Sequence, residues 1–189
     1  TKADKVERHG IADQYSISAA EEAELLRHAD VVVGIQPDET ALLCALAPGA
    51  LAVTAGVDLP VQRHAPADAP RVLLIGDDNP MNVQGLTAFL HEAWPRVRAV
   101  VPAAELRVVG AVGRAAPPGV PGVHAVGTVD ALEPEYAACR VAINPAPAGT
   151  GLKIKSVEAL ANLRPLVAWP AGVDGIAPAG RTLARVATD

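Results

Sequence analysis

The chain is expected to fold as α/β, with a parallel sheet wound on both faces by helices. Short apolar, β-branched runs alternate with segments whose apolar residues recur at about 3.6 residues. Pro and Gly clusters punctuate the joints between them. The stretch from Arg140 to Gly172, RVAINPAPAGTGLKIKSVEALANLRPLVAWPAG, shows the whole unit in one line: strand, small-residue loop, helix, strand. Such alternation implies a doubly wound sheet.

Composition narrows the function classes. Half of the 189 residues are apolar, which supplies a core. A net charge of −5 with no basic run argues against a nucleic-acid surface. Cys44 and Cys139 lie far apart among apolar neighbours and read as buried free thiols. No apolar run approaches 18 residues and no signal peptide is seen, so a soluble, cytoplasmic chain is expected. There is no initiator Met, so the sequence reads as part of a longer protein.

The first segment is polar up to about residue 17. Ser18 and Glu21 form a capping-box pattern for a helix to about His28, with Leu25 facing the core. Val31 to Ile35 reads as a buried parallel strand, Pro37 to Leu46 as a helix and Leu51 to Thr54 as a strand. Residues 59–70, LPVQRHAPADAP, hold three prolines and read as a linker. The expected organisation is a partial N-terminal α/β domain (1–58), the linker, and a C-terminal domain (71–189).

After the linker, Arg71 to Ile75 reads as a strand. Asn79 caps the next helix and Pro80 suits its first turn. Val83, Leu86, Leu90 and Trp94 form its apolar stripe, and Pro95 is expected to break it and start another helix to about Val101. Leu106 to Val109 is a strand, Gly110 to Gly122 a loop, Val123 to Val126 a strand and Leu132 to Ala138 a helix. Leu183 to Val186 is the last strand. His124 is expected to be partly exposed and structural.

The candidate chemistry lies after the strand ending near Ile143. Pro147, Gly149 and Gly151 hold a loop open, and a helix begins near Lys153 with Ile154, Val157, Leu160 and Ala161 as its apolar face. Lys155, Glu158 and Asn162 share another face. Unpaired N–H groups, the helix dipole and a first-turn lysine together suit a phosphate or pyrophosphate. Glu158, one turn on, could accept hydrogen bonds from sugar hydroxyls. An ordinary crossover helix with a solvated polar face would give the same pattern, so these residues alone leave both readings open.

Other motifs are weaker. Gly110-Ala111-Val112-Gly113 lacks the third glycine of a dinucleotide fingerprint. The five histidines show no ligand spacing, and His64 and His91 read as surface residues. No G-x-S-x-G elbow surrounds Ser16, Ser18 or Ser156. Asp77-Asp78 reads as a turn. No metal site and no cofactor are expected.

Taken together, RVLLIGDDNPMNVQGLTAFLHEAWP, LRVVGAVG and above all AGTGLKIKSVEALANLRPLVAWPAGVDGI resemble the group-1 (family 4) retaining glycosyltransferases of GT-B fold. The resemblance covers roughly Ser16 to Asp189. It implies a Rossmann-like donor-binding half from Arg71, preceded by the end of the acceptor-side half. It implies transfer of a sugar from a nucleotide diphosphate sugar to a glycan, lipid or small-molecule acceptor, with retention. Lys155 would meet the diphosphate and Glu158 the ribose, and these two are the catalytic candidates. Gly76, Asn79, Asn82, Gly127, Thr128, Val129, Thr150 and Gly151 complete the expected donor site, the base contacts coming from 127–129. Thr150 stands where the family carries a second glutamate, and the basic residues usual in its first loop are absent from Gly76 to Asn82. The chain alone is expected to be inactive. Peripheral membrane association would come through N-terminal residues outside this chain. A sugar-nucleotide epimerase and a non-catalytic sugar-nucleotide-binding module are the alternatives; acid/base side chains facing the sugar would mark the first, and none stand at 146–152.

Overall fold

The computed structural model describes residues 17–65, 67–149 and 151–187. The chain falls into two compact units, Thr1–Asp58 with Ala148–Leu152, and Leu59–Pro147 with Lys153–Asp189.

In the first unit, helix α1 (Ala19–Leu26) opens with the expected capping box. The Ser18 amide donates to Glu21 Oε2 at 2.8 Å and the Glu21 amide to Ser18 Oγ at 3.2 Å. Strand β1 (Val31–Gly34), helix α2 (Pro37–Leu46) and strand β2 (Leu51–Thr54) follow, and β1 pairs with β2 in parallel. Three expectations are corrected here. Leu25 is exposed rather than core-facing. Val31 and Val33 are exposed while Val32 is buried, so β1 is covered on one face only among the described residues. Cys44 is exposed, whereas Cys139 is buried as expected. Apolar runs record composition; which face finds a cover depends on how many elements pack there.

The second unit is a six-stranded parallel sheet in the order β5-β4-β3-β6-β7-β8. Its strands are β3 (Arg71–Ile75), β4 (Glu105–Val109), β5 (Val123–Gly127), β6 (Val141–Asn144), β7 (Leu166–Ala168) and β8 (Ala184–Val186). The chain starts in the middle, winds outward through β4 and β5, then returns to β6 and winds the other way. The order therefore reverses between β3 and β6, the point where doubly wound sheets leave a crevice beyond the strands' carboxyl ends.

Strand alternation sends side chains into two cores. On one face Val72, Leu74, Leu106, Val108 and Ile143 pack against Leu86, Leu90 and Trp94. These come from helix α3 (Pro80–Ala88), a π turn (Phe89–Ala93) and helix α4 (Trp94–Val100). Pro95 does not break the helical path. The π turn carries the Trp94 amide back to the Phe89 carbonyl, and Pro95 falls in the first turn of α4, where its missing N–H costs no bond. The Trp94 indole donates to the Pro121 carbonyl at 3.0 Å.

On the other face Leu73, Val109, Ala142, Leu166 and Ala168 pack with Tyr136 and Cys139 around helix α5 (Glu133–Ala138) and with Ala159 of helix α6 (Ile154–Ala161). Arg107 of β4 forms a two-pronged bond to Glu135 of α5, 2.6 Å on each arm. The pairing raises the arginine and holds the Glu135 carboxyl below its ordinary value. A short helix α7 (Pro178–Arg181) precedes β8. His124 on β5 is exposed.

The proline-rich stretch is fastened down over 62–65. The Gln62 amide donates to the Ala161 carbonyl at 2.7 Å, His64 Nε2 lies 2.8 Å from Asn162 Oδ1, and Arg164 Nη2 donates to the Ala65 carbonyl at 3.1 Å. His64 is thus half-buried against the end of α6, not a free surface residue. Among the described residues no helix is long and apolar enough to cross a membrane.

Gly110 to Gly122 is not plain loop: Ala111–Ala115 makes a 3-10 turn. Gly110 is needed for a packing reason. Its φ is +94°, and a Cβ there would lie 2.2 Å from the Gly76 carbonyl oxygen. Gly110→Ala is therefore expected to cost roughly 2–3 kcal/mol in chemical denaturation, from strain and steric clash together. A loss under about 0.5 kcal/mol would show that the two loops do not need this approach.

Candidate functional site

The site is assembled at the carboxyl ends of β3 and β6. After β3 the chain turns through Gly76, Asp77 and Asp78 into α3. Asn79 caps α3 as expected, its Oδ1 accepting from the Asn82 amide at 3.0 Å. The turn closes on itself through Asp77: the Asn79 side-chain amide donates to Asp77 Oδ1 at 2.6 Å. The Asn82 amide group donates both to that oxygen and to the Asp77 carbonyl. Asn82 Oδ1 is left to face the other way, and there it accepts from Lys155 Nζ of α6.

Helix α6 leaves the loop after β6 with Lys153 at its N-cap, where no side chain of that residue caps the first turn. The helix buries the face expected from periodicity only in part, with Leu160 packed against the second core. Ile154 is exposed at 45 %, and the buried positions are Ser156 and Ala159. Ser156 can be buried because its polarity is answered. Its Oγ donates to the Gly172 carbonyl at 2.6 Å and accepts from Asn144 Nδ2 at 2.8 Å. Asn144 also donates to Gly172 at 3.2 Å, so the end of β6, the first turn of α6 and the turn after β7 are tied at one point. A hydrophobicity pattern cannot see this bond, and so it misses Ser156 as a buried position.

That rotation carries Lys155 and Glu158 inward. Two recesses meet at Lys155, one lined by Met81, Asn82, Gly85 and Asn144, the other by Leu73, Ile75 and Tyr136. Burial pushes the Lys155 amine down to about 8, against the opposing pull of the Asp77 carboxylate; Lys153 pushes it further down and Glu158 pulls it up. Burial raises the Glu158 carboxyl, while a hydrogen bond from Tyr136 and the charge of Lys155 act the other way. The Tyr136 hydroxyl lies 3.2 Å from Glu158 Oε2 and 3.3 Å from the Lys155 carbonyl. Lys153 is itself mostly buried, and desolvation lowers it against the charge of Asp174. The two residues read from the sequence as a solvated pair or a ligand site are therefore neither freely solvated nor bonded to each other. Each is held by a neighbour.

The remaining candidates are dispersed. Gly76 donates to the Val109 carbonyl at 3.0 Å and accepts from Val112 at 3.2 Å, so it is a junction of the β3 and β4 loops. Gly127 closes β5 with φ +78°, and its carbonyl accepts from the Gly110 amide at 2.7 Å. Thr128 is exposed, and Val129 packs partly on the second core. Gly151 belongs to the first unit, and Thr150 lies outside the described residues. Sequence reasoning brought forward Asn82 and Lys155, which do meet. It missed Asp77, read only as a turn former, and Tyr136, read only as part of a helix. Among the described residues no group of three or more His, Cys, Asp or Glu is placed to hold a metal.

Comparison with known proteins places the chain in a family. The chain resembles the solved structures of S. aureus TarM (TM-score 0.61, 13 % identity, 86 % of this chain and 34 % of that one). It also resembles Anabaena HepE in complex with UDP and glucose (TM-score 0.61, 14 % identity, 89 % and 53 %). A further likeness is to the pneumococcal O-GlcNAc transferase GtfA in complex with UDP and GlcNAc (TM-score 0.60, 10 % identity, 87 % and 35 %). At such identities the likeness is one of fold, and the chain spans about a third to a half of the length of these proteins. No curated protein matches it. The family model for glycosyl transferases group 1 matches residues 69–189, well over half of the chain and nearly all of the second unit. The chain belongs to the group 1 glycosyl transferases, and its sheet is the Rossmann-like kind found in their GT-B fold.

Proposed function

We propose that residues 71–189 bind the nucleotide diphosphate sugar for a glycosyltransferase that passes the sugar to an acceptor with retention of configuration. The carrying observation is the placement of Lys155 and Glu158 on one face of α6, at the switch point between β3 and β6. UDP in the HepE and GtfA structures supports a uridine diphosphate as the first donor to test. On this reading the lysine takes the diphosphate, the glutamate takes the ribose, and backbone at Gly127, Thr128 and Val129 takes the base.

In such a transfer the bond between the anomeric carbon and the phosphate oxygen breaks as the acceptor oxygen bonds to that carbon. Negative charge accumulates on the departing diphosphate. A cation already desolvated and pointed at that place stabilises it more than a solvated one would, because water screens less there. Lys155 is such a cation. The first loop brings no basic side chain, only Asp77, Asp78 and Asn79, so the charge of the leaving group falls chiefly on Lys155, on the α6 dipole and on backbone amides. The acceptor site and the group that takes the acceptor's proton are assigned to the N-terminal half, of which this chain holds a part.

Hydrogen bonds that involve a charged group contribute roughly 1.5–3 kcal/mol. Lys155→Ala is thus expected to weaken UDP binding by about one to two powers of ten and to change uridine binding little. Glu158→Ala is expected to weaken both. Calorimetric titration checks this, with thermal unfolding as the control for folding. Unchanged UDP affinity in both variants would leave a plain crossover helix, whose surface pairs contribute only about 0–1 kcal/mol.

A further inference from the structure

Glu158 has three rotatable bonds and an incompletely buried carboxylate, and apart from the charge of Lys155 nothing in its own helix draws it to one direction. The neighbouring helix does. Tyr136 of α5 is 2 % exposed, and its ring is packed in the second core with Leu73, Ala142, Ala159 and Leu166. This packing seats the ring, and its hydroxyl is carried to 3.2 Å from Glu158 Oε2 and 3.3 Å from the Lys155 carbonyl. A phenol has one proton to give. Given to the carboxylate, it fixes one oxygen against α5 and leaves the remaining lone pairs of Glu158 to accept from a ligand. Burial and the Glu158 charge both raise the phenol, so it remains a donor across the physiological range.

We propose that Tyr136 is a positioning residue that aims the Glu158 carboxylate at the ribose hydroxyls, and that this buried phenol thereby sets the preference of the site for ribose. The proposal rests on the nucleotide-sugar reading of the site. A tyrosine that merely filled the core would support both halves of a nucleotide equally. A tyrosine that orients Glu158 acts only on ligands that carry the hydroxyls.

The test uses UDP and 2′,3′-dideoxy-UDP as paired probes in calorimetry. Tyr136→Phe keeps the ring and removes one oxygen. It is expected to weaken UDP binding roughly five- to twentyfold, because a charge-assisted bond is lost, and to leave the dideoxy ligand unchanged. In a Glu158→Ala background the same change should have no further effect. Equal loss of both ligands, as a loosened or unfolded variant would give, overturns the proposal. So does an undiminished effect in the Glu158→Ala background. If Glu158→Ala weakens UDP and Tyr136→Phe does not, the positioning role fails while the reading of the site stands. If Glu158→Ala leaves UDP binding intact, that reading fails and this proposal with it.

Discussion

The site depends on one constraint: the amine of Lys155 is taken out of water. An ammonium in low dielectric either finds acceptors or gives up its proton. Here it does some of both. Asn82 accepts from it, Asp77 supplies charge through the same turn, and the amine still falls from 10.5 to about 8. In the ligand-free fold the protonated lysine costs stability. The folded state holds its proton less tightly than the unfolded chain, so that cost is relieved as pH rises from about 8 towards 10.5. A ligand with negative charge at that place would supply what the fold withholds.

The scaffold explains why the constraint can be met at this point. The sheet reverses its winding between β3 and β6, so the loops after these two strands diverge to opposite faces and leave a gap. Asn82 comes from the helix on one face and Lys155 from the helix on the other. Neither helix could supply both. The close approaches that bring the loops together are held by glycine: a Cβ on Gly85 would lie 2.3 Å from the Pro145 carbonyl, and one on Gly172 would lie 2.5 Å from that of Asn144. The Asn144–Ser156–Gly172 bonds then fix the rotation of α6. The placement of Lys155 and Glu158, one turn apart, thus rests on a few bonds made by Asn144 and Ser156.

Much of the fold was legible because it rests on local signals. The capping residues Ser18 and Asn79, the stripe of Leu86, Leu90 and Trp94, and the β-branched runs all fold as their pattern predicts. The site was legible in part. Lys155 and Glu158 stand out as polar residues at helical spacing after a small-residue loop. What faces them was not legible, since Asn82, Asp77 and Tyr136 are separated from them by 19 to 81 positions in sequence. The buried face of α6 was read only in part, because Ser156 is made core-compatible by hydrogen bonds, not by apolar character. The exposure of Leu25, Val31 and Cys44 was misjudged because no pattern within a strand or helix says whether a second layer covers it.

Proton uptake on binding is the most direct measurement of the central claim, that Lys155 is a desolvated amine answered by a diphosphate. Calorimetry of UDP binding at pH 8.5 in two buffers of different ionisation enthalpy gives the number of protons taken up. Burial lowers this amine to about 8, so part of it is neutral at that pH and becomes charged when a diphosphate meets it, and the account predicts net proton uptake. The uptake should vanish in Lys155→Ala. UDP binding with no proton uptake, or with the same uptake in both proteins, would contradict it.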